Sequence, residues 1–310
     1  MEISLLLMQQ IAQLFLILIM GYAVVKAGLL KASDSRVLSV VMVYLVTPCV
    51  IINAFQIDDT PEIRKGLLYS MAIAAVIHVV LLVLSALLSR PLKLDAVEQV
   101  NVIYSNAAAL VIPLVKALMG DAYVIYSCAF IIVQLVLLWT HASSLLQGSS
   151  ALDWKKVLTN INMIAIAAGA LLYWFRVVLP APLQNTMSTV GNMMGPMGML
   201  LAGMAIAEKP LREVFCTRRN YLPTVLRLVV CPLVVLVLLW VCHASSWVAD
   251  GKNILMTVYL AAITPACATV TSMAQLYDRD AAHSSALYVL TTLLSIVSMP
   301  VMIGLFDLLL

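Results

Sequence analysis

The chain has 310 residues, 63% of them apolar and only 11% charged, with a mean hydropathy of +1.04 and a formal net charge of +3. So few charges cannot cover a soluble globule of this size, which excludes a soluble domain and leaves a polytopic membrane protein. The positive balance points to no nucleic-acid partner, because the basic residues follow membrane topology.

A spanning helix needs roughly 20 apolar residues. By that measure ten segments follow one another at 3–25, 37–57, 66–89, 97–119, 122–146, 158–179, 184–207, 220–244, 252–276 and 282–306. The first has no basic region before it and leads straight into a loop, so it reads as a span and not as a cleavable signal. The loops are short and leave no room for a soluble domain. Lys26, Lys31, Arg36, Arg90, Lys93, Lys155, Lys156, Lys209, Arg212, Arg218, Arg219 and Arg279 fall in the loops that follow odd-numbered segments. The opposite loops carry only Arg64, Lys65, Arg176 and Lys252. By the positive-inside rule, twelve against four puts the first set in the cytoplasm and both termini outside the cell membrane.

Five plus five spans imply two halves of opposite orientation. The sequence carries a weak internal match: Gly120-Asp121-Ala122 precedes segment 5 and Arg279-Asp280-Ala281 precedes segment 10. The offset of 280 − 121 = 159 also lays Asn106 on Pro265, since 106 + 159 = 265. Segments 2 and 7 each carry an internal proline, Pro48 and Pro196. Discontinuous helices at matching places in two inverted repeats are where carriers of this kind build their sites. The expected division is residues 1–146, a cytoplasmic linker at 147–157, and residues 158–310.

Two segments carry the chemistry. Segment 4 reads Ser105-Asn106 and then Pro113. A proline removes an amide donor and frees carbonyls, and non-helical backbone at membrane depth needs protein or a watery cavity to satisfy it. A cavity lined by Ser105 and Asn106 and an ordinary kink with Asn106 bonded to a neighbouring helix both fit. Segment 9 reads Thr264-Pro265-Ala266-Cys267-Ala268-Thr269-Val270-Thr271. A break followed by hydroxyl residues suggests a half-helix N-terminus, whose free amides and partial positive charge suit a carboxylate. Back-bonding of the hydroxyls within a kinked helix is the alternative. Thr47, Pro48 and Asn53 in segment 2, and Asn192 in segment 7, are further candidates. Gly191, Gly195, Gly198 and Gly203 serve close helix packing.

The charged exceptions are Lys116 and Arg227, which lie within segments and would either face an anion or snorkel to an interface. His78 is a lone intramembrane imidazole and reads as structural. His141, His243 and His283 lack metal-ligand spacing. The six cysteines, Cys49, Cys128, Cys216, Cys231, Cys242 and Cys267, include no CxxC pair and read as small hydrophobes. No metal or cofactor is expected.

All fifteen acidic residues lie at segment ends or in loops. That removes the midplane acids that cation antiporters and intramembrane aspartyl chemistry need. No serine, base and acid set suggests a hydrolase. Dipoles, amides, hydroxyls and one or two basic groups remain, a combination that prefers an anion or a polar neutral solute.

With these residues named, the chain resembles the auxin efflux carrier family of permeases, whose bacterial members are often called malate or malonate transporters. The resemblance runs nearly end to end through Thr47-Pro48, Asn106 with Pro113, Arg227 with Pro232, Thr264-Pro265-Ala266 and Met299-Pro300. It implies ten transmembrane helices in two inverted five-helix repeats, crossed and proline-broken helices 4 and 9, and elevator-type alternating access to a carboxylate site. Asn106 and the crossover prolines map onto positions that shape that site. Ala107, Ala108, Ala109 and Val111 stand where the family usually carries glycines. The sequence therefore predicts an all-α organic-anion carrier with a small-molecule substrate, a lipid bilayer around it, and early helices whose apolar faces would permit a homodimer. A sodium-coupled symporter, with a cation site that would use Gln134 or Gln275, and a ligand receptor that does not transport are the alternatives.

Overall fold

The computed structural model describes residues 2–56, 60–148, 159, 161–207, 211–248 and 250–310. Among them the chain is helical, with one isolated antiparallel bridge. The first helices are α1 (Glu2–Lys26), α2 (Ser35–Val41), α3 (Thr47–Ala54), α4 (Pro61–Ser89), α5 (Ala96–Ile103), α6 (Ala107–Met119), α7 (Val124–Leu137) and α8 (Ser143–Gln147). The rest are α9 (Ile161–Trp174), α10 (Ala181–Gly191), α11 (Met194–Ile206), α12 (Leu211–Cys216), α13 (Arg218–Val225), α14 (Cys231–Val241), α15 (Gly251–Ile263), α16 (Ala268–Leu276) and α17 (Ala281–Leu309). Among the described residues six continuous helical stretches are long and apolar enough to cross a membrane: Ala32–Asn53, Ile63–Ser89, Val124–Gln147, Ala181–Ile206, Arg218–Val241 and Ala281–Leu309. Phe15–Lys26, Ile161–Trp174 and Gly251–Ile263 are shorter apolar helices. Most of the expected linker, from residue 149 onward, lies outside the described residues.

Local chemistry sets the helix ends. The Ile63 amide donates to Thr60 Oγ1 at 3.3 Å, and Pro61 opens α4 where its missing N–H costs nothing. Asp95 and Glu98 form a reciprocal capping box at the start of α5 (2.8 and 3.0 Å), and Asp280 Oδ1 accepts from the His283 amide at the start of α17 (2.7 Å). Two prolines shape the turn before them. Pro48 and Pro232 each follow a wide π-type turn, Met42–Val46 and Leu226–Val230. A proline has no N–H for the carbonyl four residues back and crowds it, and a turn with one extra residue absorbs both effects.

The exposed apolar residues fall in stripes at helical spacing: Val76, Val79, Val83 and Leu87 on α4, and Leu294, Val297 and Val301 on α17. On a soluble protein such stripes would drive aggregation; here they are surfaces for lipid. Inside, α1 lies against α11 with no room for side chains at the crossing point. A methyl group on Gly21 would overlap the Leu200 carbonyl, and one on Gly203 would overlap that of Leu18. The packing role expected of Gly203 therefore holds. Gly198 does the same toward Ala268, the first residue of α16.

The helices gather into two sets. In one, α1 packs on α11, and α3 packs on α9 and α10. In the other, α4 packs on α7, α15 packs on α4, α6 and α7, and α13, α16 and α17 close around α5. Leu18, Met199, Ala202 and Ile206 of the first set meet Ala268, Ala286, Tyr288, Val289 and Leu290 of the second in one apolar cluster.

Candidate functional site

Segments 4 and 9 are both interrupted, and they cross at their interruptions. Tyr104-Ser105-Asn106 separates α5 from α6, and Thr264-Pro265-Ala266-Cys267 separates α15 from α16. The two stretches are extended and run antiparallel with Ser105 opposite Ala266. The Asn106 amide donates to the Pro265 carbonyl (2.8 Å), and the Cys267 amide donates to that of Tyr104 (3.1 Å). Thr264 is extended because a proline follows it. The pairing supplies main-chain partners that broken helices buried in apolar surroundings would otherwise lack.

One expectation is corrected here. Segment 4 is not broken by its proline: α6 runs without interruption from Ala107 to Met119, through Pro113. A mid-helix proline removes one hydrogen bond, and neighbouring helices hold such a turn together. The break lies seven residues earlier, where no residue type demands it, and its partners across the crossover stabilise it. In segment 9 the proline does sit inside the break.

Arg227 explains how the chain can stop two helices here. It is fully buried, 0% exposed, on the wide turn before Pro232. Its guanidinium donates to the carbonyls of Val102 (3.1 Å) and Ile103 (3.2 Å) at the end of α5. It also donates to Thr264 through Nε (3.0 Å) and Nη2 (2.8 Å), and to Ala262, at the end of α15. One side chain thus caps the C-terminal ends of both half-helices, where freed carbonyls and the negative ends of two helix dipoles meet. The sequence left open whether Arg227 snorkels or faces an anion. It does not snorkel, and its donors are spent on main-chain carbonyls.

Two polar side chains close the outer edges of the crossover. On the Ser105 edge, Gln134 of α7 accepts from the Ser105 amide (3.0 Å) and hydroxyl (2.6 Å), and donates to the Ser105 carbonyl (2.8 Å). On the other edge, Thr291 of α17 accepts from the Ala266 amide at 3.1 Å. Gln134 was singled out from sequence only as a cation ligand, and Thr291 was missed. The sole signal available was a polar residue inside an otherwise apolar run. Beside them, the Tyr104 hydroxyl bonds the Leu137 carbonyl (3.1 Å) and His141 Nδ1 (3.0 Å).

The N-terminal ends of α6 and α16 are different. A helix leaves its first-turn amides without intrahelical acceptors; here the Val270 amide of α16 turns back to the Cys267 carbonyl (3.0 Å), and the amides before it face the crossover. Asn106 stands at the head of α6 and Cys267 at the head of α16, and Cys267 makes no side-chain cap. Asn106 is 3% exposed, and its Nδ2 has no hydrogen-bond partner among the described residues. No acidic side chain among the described residues reaches these ends. Glu98 is the one buried acid among them; it lies toward the start of α5, where Arg219 holds it through Nε at 2.6 Å and through Nη2.

The remaining candidates scatter. Ser105, Asn106, Thr264, Pro265 and Thr269 are together at the crossover, and Thr269 is the second residue of α16. Thr264 Oγ1 bonds back to the Ala261 carbonyl (3.0 Å). Thr271 is two residues further along, and its hydroxyl pairs with Ser284 (3.1 Å), which also accepts from Asn101 (3.2 Å). Thr47 bonds the Met42 carbonyl (2.7 Å), closing the wide turn before Pro48. Asn53 is half-buried on α3, which packs mainly on α9 and α10. The side chains of Pro113 and Lys116 lie outside the described residues.

A family model described as Membrane transport protein matches the chain twice, over residues 6–152 and 149–303. No curated protein matches it. The family is one of transporters, not of enzymes, and its members include the auxin efflux carriers. Matched over nearly its whole length, this helical chain with its lipid-facing stripes belongs to the Membrane transport protein family, the auxin efflux carrier type.

Proposed function

We propose that the protein is a secondary carrier of an organic anion, and that it holds the anion's carboxylate at the N-terminal ends of α6 and α16. One observation carries this reading: Arg227 neutralises the C-terminal ends of the half-helices at the crossover, and no described acid neutralises the N-terminal ends. Each helix end carries roughly half an elementary charge. Two C-terminal ends and one guanidinium therefore sum to about zero, and the two N-terminal ends leave about +1 to be met by a ligand. A carboxylate fits that remainder, with Asn106 Nδ2 and the first-turn amides as donors.

The same reading takes the chain as ten helices in two inverted halves, crossed at helices 4 and 9, in the cell membrane with both termini outside. The two matched stretches, which divide the chain near residue 150, support it, as does the loop charge. Elevator movement of the set carrying the crossover against the α1–α11 set is supported by their contact. Inside it Ser285 Oγ donates to the Ala202 carbonyl (2.5 Å), while Tyr288 and Ser272 donate to the thioethers of Met199 and Met42. Apolar surface and weak sulfur acceptors resist sliding less than a ladder of strong hydrogen bonds would. An inside-negative potential drives anions outward by about 2.3 kcal/mol per charge per 100 mV, which favours efflux.

The test is flux in liposomes of purified protein, with labelled malonate, malate and an indole carboxylate, under potassium-diffusion potentials of either sign. Saturable flux of at least one acid that follows the sign of the potential is expected. No flux of any of them, with or without sodium, overturns the reading. Flux that requires sodium replaces it with symport, although Gln134, whose amide is already bonded to Ser105, could not then be a ligand in this conformation.

A further inference from the structure

The tenth span brings two side chains to the head of α6 that nothing above assigns to the site. Tyr288 and Thr292 lie one turn apart on α17, and both are buried at 0% and 2% exposure. Thr292 Oγ1 has no hydrogen-bond partner among the described residues, in contrast to its neighbour Thr291, which bonds back to the Tyr288 carbonyl (3.0 Å) and accepts from Ala266. This stretch of α17 lies against the crossover, where Thr291 reaches Ala266 and Tyr288 packs with Ala268; Asn106 and Thr292 approach the Tyr288 hydroxyl oxygen without closing a hydrogen bond to it. Its own proton points elsewhere, to the sulfur of Met199 on α11, across the contact between the two helix sets. The site therefore holds one unpartnered amide donor, one unpartnered hydroxyl, and a phenol committed to a poor acceptor. A buried polar group without a partner costs free energy, and a carboxylate offers acceptors to all three.

We propose that Tyr288 and Thr292 complete the carboxylate site, and that a bound carboxylate takes the Tyr288 hydrogen bond away from Met199. The inference rests on the anion reading above and adds a link between occupancy and movement. A thioether is a weak acceptor and a carboxylate a strong one, so the hydroxyl exchanges sulfur for oxygen when the anion arrives. The exchange breaks one of the few hydrogen bonds joining α17 to α11. The loaded carrier is then freer to slide than the empty one.

Met199→Leu separates this from a purely structural role for Tyr288. Leucine keeps the volume and removes the acceptor, leaving the phenol with the carboxylate as its one strong partner. Equilibrium binding of whichever probe acid (malonate, malate or indole carboxylate) gives flux in the liposome test should tighten severalfold in Met199→Leu. It should weaken about tenfold in Tyr288→Phe and in Thr292→Val, the loss expected for one hydrogen bond to a charged group. In Tyr288→Phe, adding Met199→Leu should bring no further tightening, because the exchange has been removed. Affinity unchanged in Met199→Leu and Tyr288→Phe, with Asn106→Ala weakened, overturns the exchange and leaves the anion site standing. Affinity unchanged in Thr292→Val removes Thr292 from the site. Failure of all three acids to bind or cross the wild-type protein sinks the anion reading itself.

Discussion

At the crossover the two kinds of helix end receive opposite treatment. The C-terminal ends of α5 and α15 share one buried guanidinium that touches four carbonyls, while the N-terminal ends of α6 and α16 face an unpartnered Asn106 amide and no described acid. The first pair is finished by the protein itself, and the second is where the proposed anion would sit. A carrier of cations would need the reverse arrangement, with an acid at the N-terminal ends to offset them and bind the ion. On the proposed reading one side of the crossover serves stability and the other recognition, so changes on the two sides should separate.

The largest effect should come from breaking the finished side. Arg227→Leu leaves the carbonyls of Val102, Ile103, Ala262 and Thr264 without their buried donor, at roughly 1–3 kcal/mol for each orphaned group. Loss of folded protein in detergent, or a thermal midpoint too low to measure binding, is the expected outcome. A near-normal midpoint would show that the carbonyls find other partners. Arg227→Lys should fall between, because an ammonium cannot span both helix ends with its three donors.

The edges of the crossover come next, and they should rank by the bonds they hold. Gln134→Leu strands both the amide and the carbonyl of Ser105, for about 2–4 kcal/mol, and Thr291→Val strands only the Ala266 amide, for about 1–2 kcal/mol. Chemical or thermal unfolding of the two variants side by side checks the order. An inverted ranking would mean that the Ser105 edge is held by more than Gln134.

How legible this was depended on whether the cause was local. The break in segment 9 was visible because Pro265 sits in it. The break in segment 4 was misplaced onto Pro113, since a proline is the loudest local signal and Tyr104-Ser105-Asn106 carries none. Its cause is pairing with residues about 160 positions away in sequence, to which Gln134 and Arg227 add their bonds. Arg227 could not be resolved between snorkelling and capping for the same reason: its acceptors lie 35 to 125 positions away. Thr292 and Thr291 are indistinguishable as letters, and only their placement shows that one bonds back to its helix while the other is free. The membrane character was legible, because burial in lipid writes itself into composition, and six of the ten expected spans appear among the described residues as helices long enough to cross.

The most direct test of the account is the binding of the carried acid to wild type, Asn106→Ala and Asn106→Asp. Asn106→Ala removes one donor and should weaken binding about tenfold. Asn106→Asp should fold as well as wild type, since a carboxylate suits a helix N-terminus. It should bind the acid most weakly of the three, because it fills the positive remainder with the protein's own charge. Binding by Asn106→Asp equal to or tighter than that of Asn106→Ala would contradict the claim that uncompensated helix N-termini hold the anion.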